Sequence, residues 1–120
     1  MADDTLPQAI TRPLQFEEGA AVGISHRWGN GQYCAILTRS GLVGCGIYDV
    51  VTAGKFGQVV AIARGTPQHP LVNPEDLLEA KIVDISEPAR QLGLETGITG
   101  REAVARLLAA DAASAAESNS

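Results

Sequence analysis

Apolar and polar residues alternate between Leu14 and Trp28, with Phe16, Ala20, Val22, Ile24, His26 and Trp28 on one face and Gln15, Glu17, Ser25 and Arg27 on the other. A period of two predicts a half-buried strand. Asn30 and Gly31 tolerate positive φ, so a hairpin turn is expected before the next strand, QYCAILTR. A second turn at RSGL leads into LVGCGIYD, where Val43, Cys45, Ile47 and Asp49 share one face and Gly44 and Gly46 the other. A fourth run, QVVAIARG at 58–65, is apolar on both faces and belongs inside a sheet. Only VVTAGKFG separates it from the third run, which is short for a crossover.

The second half has the period of helices. Asn73, Pro74, Glu75 and Asp76 supply an N-cap, a first-position proline and acidic residues suited to a helix N-terminus ahead of LLEA. Ser86 opens a short helix that stops at Gly93. Thr99 and Glu102 have capping-box spacing ahead of a longer helix, whose apolar stripe is Ala103, Val104, Leu107 and Leu108. Strands first and helices later predict an α+β fold: an N-terminal antiparallel β-meander with a fourth strand, covered by two or three C-terminal helices. The expected organisation is a flexible arm over 1–12, one domain over 13–110 and a flexible tail over 111–120.

Composition adds a constraint on packing. The chain has 120 residues, of which 45% are hydrophobic but only 4% aromatic, so the core must be built from small aliphatic side chains. Strands apolar on both faces need more cover than three modest helices provide. A second copy of the same sheet is the simplest cover, which makes residues 14–40 the expected oligomerisation region. The net charge of -5 opposes broad contact with nucleic-acid phosphates or an anionic membrane. No run approaches the roughly 20 apolar residues of a spanning helix, and the acidic start lacks signal-peptide character, so a cytoplasmic protein is expected. Without CxxC or a Cys/His cluster, the cysteines are expected as reduced thiols, with no metal and no cofactor.

Candidate chemistry is confined to two stretches. Cys45 reads either as a small buried hydrophobe or as a thiolate nucleophile, the latter needing a nearby cation or helix N-terminus. Asp49 suits an N-cap better than a general base, because acid–base work usually needs a second group. His26 is expected half-buried or interfacial and His69 exposed in a loop. Arg101 stands in the first turn of a helix, where its charge opposes the macrodipole, so it should pair with a carboxylate such as Asp49 or Glu95. Alternatively, Thr99, Gly100 and Arg101 could bind a small anionic ligand at the helix start.

CGIYDV at 45–50 and GITGREAVARLL at 97–108, with ARQLGLETG between them, resemble the YunC-like family of bacterial and archaeal proteins, a domain of unknown function. The resemblance covers about 41–108. It implies an α+β fold whose N-terminal β region mediates homo-oligomerisation, described for the family as tetramerisation. It implies no reaction, and Cys45, Asp49, Thr99, Gly100 and Arg101 match as motif positions only. Family members have a longer helix-like insert where this chain has VVTAGKFG. The expected function is a homo-oligomeric module that binds a small ligand or a partner. The alternatives are a small cysteine-dependent enzyme using Cys45 with Asp49 and Arg101, and a purely structural assembly module.

Overall fold

The computed structural model describes residues 6–118. Six strands form one sheet in sequence order: β1 (Gln8–Phe16), β2 (Gly19–Trp28), β3 (Gly31–Leu37), β4 (Leu42–Cys45), β5 (Val60–Ala63) and β6 (Ile82–Ile85). Every neighbouring pair is antiparallel except β4 and β5, which run parallel. The helices are α1 (Val50–Lys55), α2 (Asp76–Glu79), α3 (Glu87–Leu92) and α4 (Gly100–Ser118). The α+β class and the N-terminal meander are as expected.

The segment expected as one strand from Leu14 to Trp28 is two. Glu17 and Glu18 form a tight turn into Gly19, which takes φ +149 and pairs with Phe16. A two-residue turn inverts parity, so Phe16 lies on the face of Ala21 and Ser25 and not on that of Val22 and Ile24. The arm expected over 1–12 is strand from Gln8 onward, and residues 1–5 lie outside the described residues. The tail expected from 111 is helical through Ser118, beyond which the chain is again outside the described residues.

Strand β4, which comes from the run LVGCGIYD, is shorter than that run. It ends at Cys45, which leaves residues 46–59 for the connection to β5, long enough for the right of way of a parallel crossover through α1. Strand β6 was not expected, because Ile82 and Val83 stand side by side and the segment from Lys81 to Ile85 lacks the alternation of a strand. Beyond it, Ile82 N donates to Ile98 O at 2.8 Å and Gly97 N to Ile82 O at 2.8 Å, which ties the motif GITGRE to the sheet edge.

Two cores result. On one face, Leu14, Ile36, Val43, Ala61 and Ile82 pack under α2 and α4, whose Ala103, Val104, Leu107 and Leu108 are buried as the stripe predicts. On the other, α1 seats Val50 and Ala53 over Val60 and Ile62. Alanine at 61 and 63 keeps β5 close to its cover, the consequence of an aliphatic, small-residue core. Only the β4–β5 half of this second face is covered. Over β1–β3 it carries Val22, Ile24, His26, Trp28, Tyr33 and Leu37, with Val22 37% and Trp28 41% exposed.

Candidate functional site

Cys45 is the last residue of β4, and Ala63 pairs with it at the end of the parallel neighbour β5. Carboxyl ends of adjacent parallel strands are where chains diverge and open sheets leave room for ligands. Here the chain leaves β5 as Arg64 and Gly65. Thr66 and His69 close a turn by exchanging backbone hydrogen bonds at 3.1 and 3.0 Å, and Leu71 brings the chain back past Gly65. A Cβ on Gly65 would lie 2.9 Å from Leu71 N, so only glycine allows this return. Gln32 Nε2 donates to Leu71 O at 3.3 Å and pins the loop to β3. Between loop and strand ends lies an open cavity of about 440 Å3 lined by Gln32, Cys45, Gly46, Arg64 and Thr66 among others. A larger one of about 830 Å3 continues from it over Arg64, Thr66 and Leu71 toward Asn73 and Glu79.

The glycines around Cys45 have separate uses. Gly44 admits the Tyr48 ring on the opposite face, since a Cβ there would be 2.5 Å from Tyr48 Cδ2. Gly46 lies beside the Arg64 stem, its would-be Cβ 3.5 Å from Arg64 Cγ. Tyr48 also meets Tyr33 edge-on at 5.9 Å, and Tyr33 meets His26 at 4.6 Å and Trp28 at 5.5 Å. Burial pushes the Tyr48 hydroxyl up to about 12.

Register places Cys34 against Cys45. β3 and β4 pair Ala35 with Gly44 and Ile36 with Val43, and one step further along the ladder Cys34 stands opposite Cys45 on the α4 face. Both are free thiols. The neighbouring Cys34 thiol lowers the Cys45 pKa to about 6 against the opposing effect of burial. The same contact, with burial, raises the Cys34 pKa. The physical content is an ordering: the first proton leaves Cys45, and Cys34 keeps the second. Alkylation of Cys45 in the folded protein is accordingly expected to rise through a midpoint below pH 7, and peptide mapping of iodoacetamide adducts against pH measures it. A midpoint near that of a free thiol removes the role given to Cys34.

The other candidate residues stand elsewhere. Asp49 caps α1, with Oδ1 accepting from Val51 N at 3.0 Å and Thr52 N at 3.3 Å, and Oδ2 from Thr52 Oγ1 at 2.6 Å. The Thr52 hydroxyl and amide hold its carboxyl below the usual range. Asp49 and Cys45 do not share a strand face, because β4 ends before Gly46. At the start of α4, Thr99 Oγ1 accepts from Glu102 N at 3.1 Å, as a cap should. Glu102 does not complete the box; its carboxylate pairs with Arg106 at 3.2 Å. Gly100 N donates to Ala80 O at 2.8 Å and Ala103 N to Thr99 O at 3.0 Å, so these amides are committed within the chain. Arg101 faces Glu79 at 3.9 Å, not Asp49 or Glu95, and Glu95 pairs with Arg106. Neither Asp49 nor Arg101 lines the cavity at Cys45. Arg64 and Cys34 do the work of neighbours there, and neither stood out in the sequence. Asn73 is likewise no side-chain cap: its Oδ1 accepts from Arg27, while Asp76 accepts from Val72 N and Asn73 N.

Among the described residues no group of three or more His, Cys, Asp or Glu side chains could hold a metal ion, and no helix is long and apolar enough to cross a membrane. A six-stranded mixed sheet, with one parallel pair whose ends carry a cysteine and a cavity, defines the class of domain. The family model for DUF1805, a domain of unknown function, matches residues 44–107, and the chain belongs to that family. A solved structure, a protein of unknown function, TA1206, from Thermoplasma acidophilum, shares the fold with a TM-score of 0.73 at 21% identity, over 84% of this chain and 94% of that one. No curated protein matches.

Proposed function

We infer that this DUF1805 protein is a homo-oligomeric, small-ligand-binding module of the YunC-like kind. The observation that carries the reading is the open face of β1–β3. Val22, Ile24, Trp28, Tyr33 and Leu37 form an apolar surface that no other described element covers, and its only ionisable members are His26 and Tyr33. A charge-poor face suits a second copy of itself, because an isologous contact must match its own surface and a chain of net charge -5 has to keep its carboxylates out of the contact. Further copies joined in the same region make a tetramer. Each copy then offers a small anionic ligand the cavity at the ends of β4 and β5, where Arg64 is the charged lining residue. The assembly is placed in the cytoplasm, where thiols stay reduced.

Sedimentation velocity at micromolar concentration tests the assembly. The wild type is expected to sediment as a dimer or tetramer. Val22→Glu, at a position already part-exposed in one copy, is expected to sediment as a folded monomer, because burying an unpaired carboxylate in the contact is unfavourable. A monomeric wild type overturns the reading. The cysteine-enzyme alternative with Asp49 and Arg101 gains no support from the cavity lining, and a purely structural assembly would need only the open face.

A further inference from the structure

We propose that Cys45 and Cys34 form a redox-active dithiol that exchanges with a small anionic disulfide admitted beside Arg64. The proposal rests on the cavity assigned above as a ligand site and is independent of self-association.

Three observations carry it. First, the β3–β4 register pairs Ile36 with Val43 and Ala35 with Gly44, so its next step brings Cys34 and Cys45 together on one face. Opposed residues of an antiparallel pair have Cα atoms roughly 4.5–5.5 Å apart, inside the roughly 4.4–6.8 Å that a disulfide spans. The bridge therefore needs no rearrangement of the sheet. Second, the two thiols are unequal in access: Cys34 is 0% exposed, whereas Cys45 is 9% exposed and lines the cavity. An incoming molecule meets Cys45, and Cys34 lies behind it. Third, Arg64 is the one charged residue lining that cavity, and among the described residues it makes no ion pair. A ligand carrying carboxylates would find next to the reactive sulfur a cation that forms no ion pair with the described residues. The lowered pKa of Cys45 and the raised pKa of Cys34 agree with the order in which they would act.

The chemistry balances as follows. The Cys45 thiolate attacks one sulfur of the substrate disulfide; the substrate S–S bond breaks, and one half leaves as a thiolate. Cys34 gives its proton to that leaving thiolate and attacks Cys45 Sγ. The mixed disulfide breaks, the second half leaves as a thiolate that takes a proton from solvent, and the Cys34–Cys45 bond forms. Two protein thiols are oxidised and one small disulfide is reduced to two thiols. In the reverse direction a small thiol regenerates the dithiol.

Intact-mass analysis of the reduced full-length protein after incubation with oxidised glutathione tests this, with hydroxyethyl disulfide as a neutral comparison. The wild type is expected to lose the mass of two hydrogens and keep no glutathione. Cys34→Ser, with Cys34→Ala as a second variant and circular dichroism as the check on folding, is expected to retain one glutathione on Cys45. Arg64→Gln is expected to slow reaction with oxidised glutathione roughly tenfold more than reaction with the neutral disulfide. A wild type that stays reduced, bridges between copies, or keeps glutathione on Cys45 overturns the dithiol. Equal slowing with both disulfides overturns the anionic specificity. Glutathione that stabilises the wild type against melting without exchanging overturns the redox role and leaves the ligand-binding reading standing.

Discussion

Replacing Gly100 by alanine is expected to destabilise the fold by about 3 kcal/mol or more, the upper end of what forced overpacking costs. A Cβ at this position would lie 1.9 Å from Leu77 O and 2.7 Å from Leu77 C, distances that no rotamer change relieves because the atoms met are backbone. Either α4 must move off the sheet or α2 must shift. Either movement disturbs the Gly100 N to Ala80 O bond and the burial of Leu77, Val104 and Leu107 in one core. Urea denaturation of the variant measures the effect. Gly54→Ala is the control, because a Cβ there meets nothing closer than 3.7 Å and lies inside α1. Helix propensity predicts that it stabilises by roughly 0.5–1 kcal/mol. Equal losses in the two variants would mean that the cost at 100 does not come from the contact with Leu77.

That contact also explains a part of the GITGRE motif that the sequence offered as an alternative ligand site. The glycine at 100 is where one helix start crosses the end of another, and the amide that could have met an anion meets Ala80 O. Such a crossing involves residues about twenty positions apart, so local pattern has no access to it. Signals that are local were legible. The α4 stripe, the Ser86 cap, the Gly93 stop at φ +112 and the Asp49 cap each depend on neighbours within four residues. Parity was legible only until a turn intervened: two glutamates at 17 and 18 look like ordinary polar positions in an alternating strand, yet as a turn they reverse which face follows. The dithiol lay within reach of the sequence. Once Thr38 to Gly41 is taken as a turn, with Thr38 N bonded to Gly41 O at 2.8 Å, the ladder runs back to Cys34 opposite Cys45. The apolar run through Tyr48 hid it, because that run reads as a strand continuing past Cys45 to Asp49, whereas β4 ends at Cys45. Arg64 had no signal at all, since its position beside Cys45 depends on β5 running parallel to β4, and the connection looked too short for that.

Ser86→Ala is expected to cost about 2–4 kcal/mol, since one hydroxyl serves several buried groups and each group left unpaired costs roughly 1–3 kcal/mol. Ser86 is 1% exposed. Its Oγ donates to Gln58 O at 2.7 Å and accepts from Val60 N at 3.0 Å and from Ala89 N at 3.4 Å. Its own amide donates to Val60 O at 2.9 Å. The residue thus starts β5, closes β6 onto it and caps α3, three jobs at the β5–β6 end of the sheet. Alanine keeps the backbone bond and the volume within one atom, so the loss reads the hydroxyl alone and not a cavity. Asp49→Ala removes a cap of similar form from α1, but at an exposed position where water replaces the carboxylate. Its denaturation midpoint is expected to fall by much less. If the two variants lose the same stability, Ser86 acts only as a helix cap and the link between β5 and β6 has to be held elsewhere. If Ser86→Ala also leaves the reactivity of Cys45 unchanged in the folded protein, the ends of β4 and β5 are held by α1, α4 and the loop at Gly65, and the cavity is independent of the β6 edge.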